Sequence, residues 1–198
     1  MIWQFLKKNA VILDRTLFER VIFLKAAWPT ISHRSKDIFA RQIEPMKKQR
    51  IYLDTSVIGG CFDKEFEFES KMLIEQIHAG KYIAVISDTT MSELKGAPPY
   101  IQEIITNIPV PQILEISVNS EIIELAAKYV SEKVIPDWCQ ADALHIATAT
   151  YYNSDLLLSW NFKHIVNVNR IMGYNSVNLR EGYKALEIRS PKEVVYDE

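Results

Sequence analysis

Ile51-Tyr52-Leu53 is apolar or aromatic at consecutive positions, and Asp54-Thr55-Ser56 follows at once. β-branched and aromatic side chains favour an extended backbone, and an unbroken apolar run is what a strand buried on both faces requires. The Asp-Thr-Ser that follows marks a stop and a helix start. A strand of this kind belongs in a sheet covered by helices, and in open α/β sheets ligands bind just past the carboxyl ends of the strands. Asp54 is therefore either a helix cap or part of a site, depending on whether other acids reach the same edge.

Similar runs recur downstream. Tyr82 to Ile86, Ile113 to Ile116 and Asp155-Leu156-Leu157-Leu158 read as strands, and Ser176 to Leu179 as a last short one. Helical patterns lie between them. Val57-Ile58 makes one turn, with Gly59-Gly60 as a flexible exit. Glu69 to Ala79 has apolar residues at 72, 73, 74 and 77 and stops at Gly80. Met91 to Lys95 ends at Gly96, and Pro98-Pro99 opens a stretch toward Thr106. Glu121 to Val134 repeats apolar residues at 122, 125, 126, 129, 130 and 134, with Asn119 as its cap. Pro136-Asp137 begins a helix to about Tyr152, and Ile165 to Met172 forms one that ends at Gly173. Strands alternating with helices predict an α/β fold, a three-layer α/β/α sandwich with a central parallel sheet. The tail Ile188 to Val195 reads as an edge strand or a partner-docking segment.

Residues 1–45 stand apart. Trp3, Phe5, Leu6, Val11 to Leu13 and Leu17 to Leu24 predict one or two amphipathic helices, broken at Trp28-Pro29. This segment carries eight Lys/Arg against four acids, which leaves fifteen basic and twenty-one acidic residues for 46–198. Met46 then opens Met-Lys-Lys-Gln-Arg directly before the first strand. The expectation is a main domain over 46–198. Residues 1–45 are then a dispensable extension or an upstream start wrongly assigned.

Composition narrows the class. Hydrophobic residues make up 48% of the 198 and charged residues 24%, as in soluble globular proteins. No apolar run approaches the roughly 18 residues of a membrane span. Lys7 and Lys8 come after apolar residues, the reverse of a signal peptide. Cys61 and Cys139 form no C-x-x-C pair, so the spacing points to free thiols in a cytoplasmic protein rather than to a zinc or disulfide framework. A net charge of −2 does not advertise nucleic-acid binding. The carboxylate excess in 46–198 suits a cation site, although an acidic surface is commoner.

Four positions fall at strand ends or helix starts. Asp54 alone is explained as a cap. Thr90-x-x-Glu93 fits a capping box, which gives Glu93 an ordinary role. Asp137-x-x-Gln140 fits another, which leaves Asp142 surplus to capping among the apolar residues of 141–147. His145, on the expected core side of that helix, reads as a structural histidine. Asn161, after the fourth strand, reads as a turn residue whose amide oxygen can still hold a hard cation or a water, as can the hydroxyl of Ser159. Thr55 and Ser56 place two more hydroxyls beside Asp54. Converging carboxylates repel one another unless a divalent cation neutralises them, and such a cluster can activate water against a phosphodiester. Lys64, Lys95, Lys163, His164 and Arg170 lie near the expected edge loops and are candidate phosphate contacts, each more ordinarily a solvated charge.

The order Ile-Tyr-Leu-Asp-Thr-Ser (51–56), Ser-Glu-Leu (92–94), Ala-Asp-Ala-Leu-His-Ile-Ala (141–147) and Leu-Leu-Ser-Trp-Asn-Phe-Lys-His (157–164) resembles the PIN domain family, and within it the VapC-type toxins of prokaryotic toxin–antitoxin pairs. The resemblance covers roughly residues 49–180. It implies a Mg2+- or Mn2+-dependent endoribonuclease with Asp54, Glu93 and Asp142 as core acids. It also implies RNA as substrate, an antitoxin protein that occludes the acids, and a homodimer. Asn161 departs from the family, which commonly has a fourth Asp there; an amide keeps the oxygen and loses the charge. That departure leaves a second reading open, a catalytically weakened PIN-like module that binds RNA or a protein. A haloacid-dehalogenase-type phosphatase is disfavoured, because its second Asp is replaced by Ser56. No phosphate-binding glycine loop occurs, and neither cysteine has a neighbouring histidine in sequence to make a thiol nucleophile.

Overall fold

The computed structural model describes residues 48–196. The helices expected within 1–45 lie outside the described residues. The strands are β1 (Gln49–Leu53), β2 (Tyr82–Ser87), β3 (Ile113–Ile116), β4 (Leu156–Leu158) and β5 (Ile188–Arg189). They form one five-stranded sheet in the order β3-β2-β1-β4-β5, parallel throughout. The helices are α1 (Thr55–Gly60), α2 (Glu67–His78), α3 (Asp88–Leu94), α4 (Pro99–Thr106), α5 (Ser120–Ser131), α6 (Gln140–Tyr151), α7 (Val168–Arg180) and α8 (Pro191–Val195).

Side chains alternate across a strand, and the two cores follow that alternation. Ile51, Leu53, Ala84, Ile86 and Leu158 share one core with Val57 of α1, Leu73 and Ile77 of α2 and Val194 of α8. Tyr52, Val85, Leu157 and Ile188 share the other with Ile122 and Tyr129 of α5, Ala143 and Ile146 of α6, and Tyr174 and Val177 of α7. The expected α/β/α sandwich is therefore present. From β1 the chain steps outward to β2 and β3, then returns to β4 on the other side. The strand order reverses between β1 and β4, and the carboxyl ends there are where open sheets place ligands. The Asp54 amide donates to the Leu158 carbonyl at 3.1 Å, so the loops after β1 and β4 leave the sheet side by side.

Several local expectations change. Ser176 to Leu179 is not a strand, and Gly173 does not end a helix; both lie within α7. A Cβ on Gly173 would meet Val134 Cγ1 at 2.7 Å, so that glycine serves a close approach and not a stop. The polar Asn178 is buried because Tyr129 donates to its Oδ1 and its Nδ2 donates to Thr150 Oγ1. Gly59-Gly60 belongs to α1 and is no flexible exit, since a Cβ on Gly60 would come within 2.9 Å of Trp160 Nε1. In the tail, Ile188-Arg189 is the edge strand, and Ser190 with Glu193 forms a capping box that starts α8. Among the described residues no helix is long and apolar enough to cross a membrane.

Candidate active site

Asp54 is the N-cap of α1 by position, with an extended backbone, yet its carboxylate caps no amide of that helix. Its Oδ2 accepts from Ser56 Oγ at 2.5 Å and from Ser159 Oγ at 2.7 Å. Its Oδ1 lies 3.5 Å from His145 Nε2, and the whole residue is 5% exposed. The two serines are fixed in turn, Ser56 by the Trp160 amide and Ser159 by the Asn161 amide, each at 2.9 Å. The loops after β1 and β4 thus hold one carboxylate between them.

Glu93 comes from α3. The true cap of that helix is Ser87, whose Oγ accepts from the Thr90 amide at 3.1 Å. The expected Thr90–Glu93 capping box does not form, because the helix begins one turn earlier and Thr90 is already inside it. Glu93 Oε2 instead accepts from Thr55 Oγ1 and lies 3.2 Å from His145 Nε2. The hydrogen bond from His145 holds the Glu93 carboxyl below its ordinary 4.5, with the Thr55 hydroxyl adding to it against partial burial.

His145 is buried between these acids, not in an apolar pocket. Its Nδ1 pairs with Tyr52 Oη at 2.7 Å, and Tyr52 Oη lies 2.6 Å from Ser87 Oγ. Burial pulls the imidazole down, but the hydrogen bond to Glu93 and the charges of Asp54, Glu93 and Asp142 outweigh it, so the net shift is upward from 6.5. Burial pushes the Tyr52 phenol well up, which keeps it a neutral hydrogen-bond partner.

Asp142 does not start where the sequence places it. The turn closed by Cys139 N on Pro136 O at 3.0 Å delays α6 to Gln140, with Cys139 as N-cap. The Asp137–Gln140 capping box is absent, and Asp142 lies in the first turn, where a carboxylate suits the helix dipole. Its Oδ1 accepts from Asn161 Nδ2 at 3.1 Å, while Asn161 Oδ1 accepts from the His164 amide at 3.0 Å. Partial burial, then the charge of Asp54, raises the Asp142 carboxyl above its ordinary 3.8.

Among the described residues, Asp54, Glu93 and His145 offer donor atoms that all lie within 4.8 Å of one another. Asp142 belongs to an adjoining set with Cys139 and His164. The structure therefore joins two of the three expected acids directly and sets the third beside them. His145 is buried and hydrogen-bonded, as a structural histidine would be, but the structure also sets it and Tyr52 against the acids; the signal in the sequence was His145 three positions after Asp142, on the same helix face. Two carboxylates and an imidazole fit a hard divalent cation, and the nitrogen favours Mn2+ over Mg2+.

The expected phosphate contacts scatter. Lys95 and Lys163 are exposed. Lys64 lines a hollow on α2 together with Phe68 and Met72. His164 is 9% exposed, so it is no solvated surface cation. Arg170 donates to the carbonyls of Lys163 and Val134, which makes it a brace.

No protein-family profile and no curated protein matches the sequence. Among solved structures, VapBC2 from Rickettsia felis bound to a DNA fragment from their promoter shares 13% identity, with 72% of this chain and 98% of that chain covered and a TM-score of 0.46. A toxin–antitoxin complex from Klebsiella pneumoniae shares 24% over 61% of this chain and 93% of that one, with a TM-score of 0.45. Tyrosyl-tRNA synthetase from Aeropyrum pernix shares 8% over 72% of this chain and 52% of that one, with a TM-score of 0.43. Likenesses this low, spread over unlike proteins, assign no activity.

Proposed function

We propose that this chain is a Mg2+- or Mn2+-dependent endoribonuclease and the toxin of a toxin–antitoxin pair. One observation carries the nuclease reading. Asp54, just past the end of β1, and Glu93, in the last turn of α3 after β2, reach the same point, and neither carboxylate is used to cap its own helix. The toxin role, the antitoxin and a homodimer rest on the sequence resemblance alone.

Asp54, Glu93 and His145 are the residues that would hold the cation, with Asp142 adjoining. A bound divalent cation activates water and neutralises charge on a phosphodiester. The chain's own groups fix the geometry: Ser56 and Ser159 orient Asp54, Thr55 and His145 orient Glu93, and Asn161 orients Asp142. Asp142, half-exposed beside this set and with its carboxyl raised by partial burial and the charge of Asp54, is placed to take a proton. Phe162 follows Asn161, is 51% exposed, and leans on Trp160, which offers an unstacked base a platform beside the acids.

The test is cleavage of single-stranded RNA by the full chain. Wild type is expected to cleave with Mg2+ or Mn2+, and Asp54→Asn or Glu93→Gln to lose at least the roughly 100-fold typical of displaced catalytic groups. Cleavage that persists in EDTA, or in both variants, refutes the reading. The weakened-module reading has one observation in its favour, the neutral Asn161 amide tied to Asp142. An inactive wild type with an active Asn161→Asp variant would establish it.

A further inference from the structure

The donor set adjoining the candidate active site has a different chemistry. Cys139 Sγ, an Asp142 carboxylate oxygen and a ring nitrogen of His164 lie within 4.8 Å of one another. The three arrive from separate places: the N-cap of α6, its first turn, and the loop after β4. That dispersal is why cysteine spacing in the sequence gives no sign of them.

A second observation points to a ligand. His164 is 9% exposed, and its Nδ1 is buried without a hydrogen-bond partner among the described residues. A buried ring nitrogen left unpaired is costly, and native structures rarely keep one without a reason. Its backbone is well anchored, since its amide donates to Asn161 Oδ1 and its carbonyl accepts from Tyr174 Oη at 2.8 Å. The loop is thus held in place while Nδ1 of the ring goes unused.

We propose that Cys139, Asp142 and His164 form a binding site for a borderline-soft divalent metal of the Zn2+ class. Thiolate, imidazole and carboxylate are the donors Zn2+ takes, whereas Mg2+ takes oxygen. Zn–S and Zn–N bonds of about 2.3 and 2.0 Å put tetrahedral donors roughly 3.3–3.8 Å apart, so side-chain rotation closes the present set onto an ion. Three protein ligands leave a fourth position to water, and half-exposed Asp142 gives the path in. Binding takes Cys139 as thiolate and releases its proton to solvent. The amide end of α6 and the charges of Arg170 and Lys163 oppose a cation here. Burial, then the Asp142 charge, pushes the Cys139 thiol up despite those positive charges, so the ion itself has to displace the thiol proton, and affinity comes from the metal–sulfur bond.

Asp142 belongs to this set and adjoins the Asp54–Glu93–His145 set, so Zn2+ bound here would hold its carboxylate away from the nuclease acids. That consequence rests on the proposed nuclease activity; the site itself does not. The experiment adds Co2+ to the reduced full chain as a spectroscopic stand-in for Zn2+. Wild type is expected to show sulfur-to-cobalt charge-transfer absorption in the near ultraviolet, which Zn2+ abolishes by displacement. Cys139→Ser is expected to lose the band and stay folded, since serine is a favoured N-cap. His164→Gln is expected to weaken Co2+ binding by at least about tenfold, the lower bound for perturbed metal sites. No band in folded wild type, or a band that survives Cys139→Ser, overturns the site. In the second arm, Zn2+ is expected to inhibit RNA cleavage by wild type more strongly than by Cys139→Ser. Equal inhibition refutes the shared role of Asp142, and a wild type that shows the cobalt band but never cleaves refutes the nuclease reading and leaves the metal site standing.

Discussion

His145 makes metal binding at the candidate active site depend on pH. Its Nε2 lies 3.2 Å from Glu93 Oε2 and 3.5 Å from Asp54 Oδ1, so in the metal-free protein both acids favour the protonated form of the imidazole. The folded-state value is raised above 6.5, and the proton is therefore held more tightly than in the unfolded chain. A cation held by the same oxygens competes with that proton. Two unit charges 4 Å apart interact by roughly 4 kcal/mol at an effective dielectric near 20. At 1.36 kcal/mol per factor of ten, this weakens proton binding at His145 by roughly a thousandfold when the ion is bound. Glu93, held below 4.5, is already ionised and contributes no slope of its own.

One displaced proton gives about a tenfold gain in apparent Mn2+ affinity per pH unit below the His145 value, flattening above it. Isothermal titration with Mn2+ from about pH 5.5 to 7.5, in buffers of differing ionisation enthalpy, reads both the slope and the released proton. His145→Gln keeps an amide in contact with Glu93 but cannot titrate, so its slope is expected to fall well below that of wild type. Asp142, whose raised carboxyl also faces the cluster, supplies whatever slope remains, and Asp142→Asn removes that part. Equal slopes in wild type and His145→Gln would refute the competition between proton and metal.

Asn161→Asp replaces the amide that donates to Asp142 Oδ1 with a second carboxylate. The metal-free protein is expected to lose about 1–3 kcal/mol, a melting temperature lower by several degrees, with Mn2+ restoring much of it; a variant as stable as wild type in EDTA counts against this account. Tyr52→Phe removes the hydroxyl between Ser87 Oγ and His145 Nδ1, which should cost about 1–3 kcal/mol in a urea titration, and an unchanged midpoint would show that the phenol does not hold the ring. Gly173→Ala forces a methyl group against Val134 Cγ1, with an expected loss of about 1–3 kcal/mol that Val134→Ala relieves in the double variant. If the two substitutions add instead, the clash lies elsewhere.

The central strands were legible because Ile51-Tyr52-Leu53, Tyr82 to Ile86 and Leu156-Leu157-Leu158 are short, largely buried apolar runs bounded by turn signals, and it is their length and flanks, not their period, that set them apart from buried helix. The roles of the acids were less legible, because capping boxes are matched by spacing while a cap is set by where the backbone turns. Ser87 starts α3 one turn ahead of Thr90, which frees Glu93, and the turn at Pro136–Cys139 starts α6 late, which puts Asp142 where a helix favours an acid. The ordinary explanation thus moved from Glu93 to Asp142. The glycines misled in the same way, since Gly60 and Gly173 answer to Trp160 and Val134, neighbours distant in sequence.

His145 could have been placed by combining two periodicities. Strand alternation puts Asp54 on the same side as Tyr52, the side that α6 covers. The three-residue spacing of Asp142 and His145 puts both on one stripe of that helix. A carboxylate leaving β1 toward α6 must then meet a polar stripe on an otherwise apolar helix. Burying a carboxylate there without a partner is too costly, so the histidine beside it is a consequence of the topology.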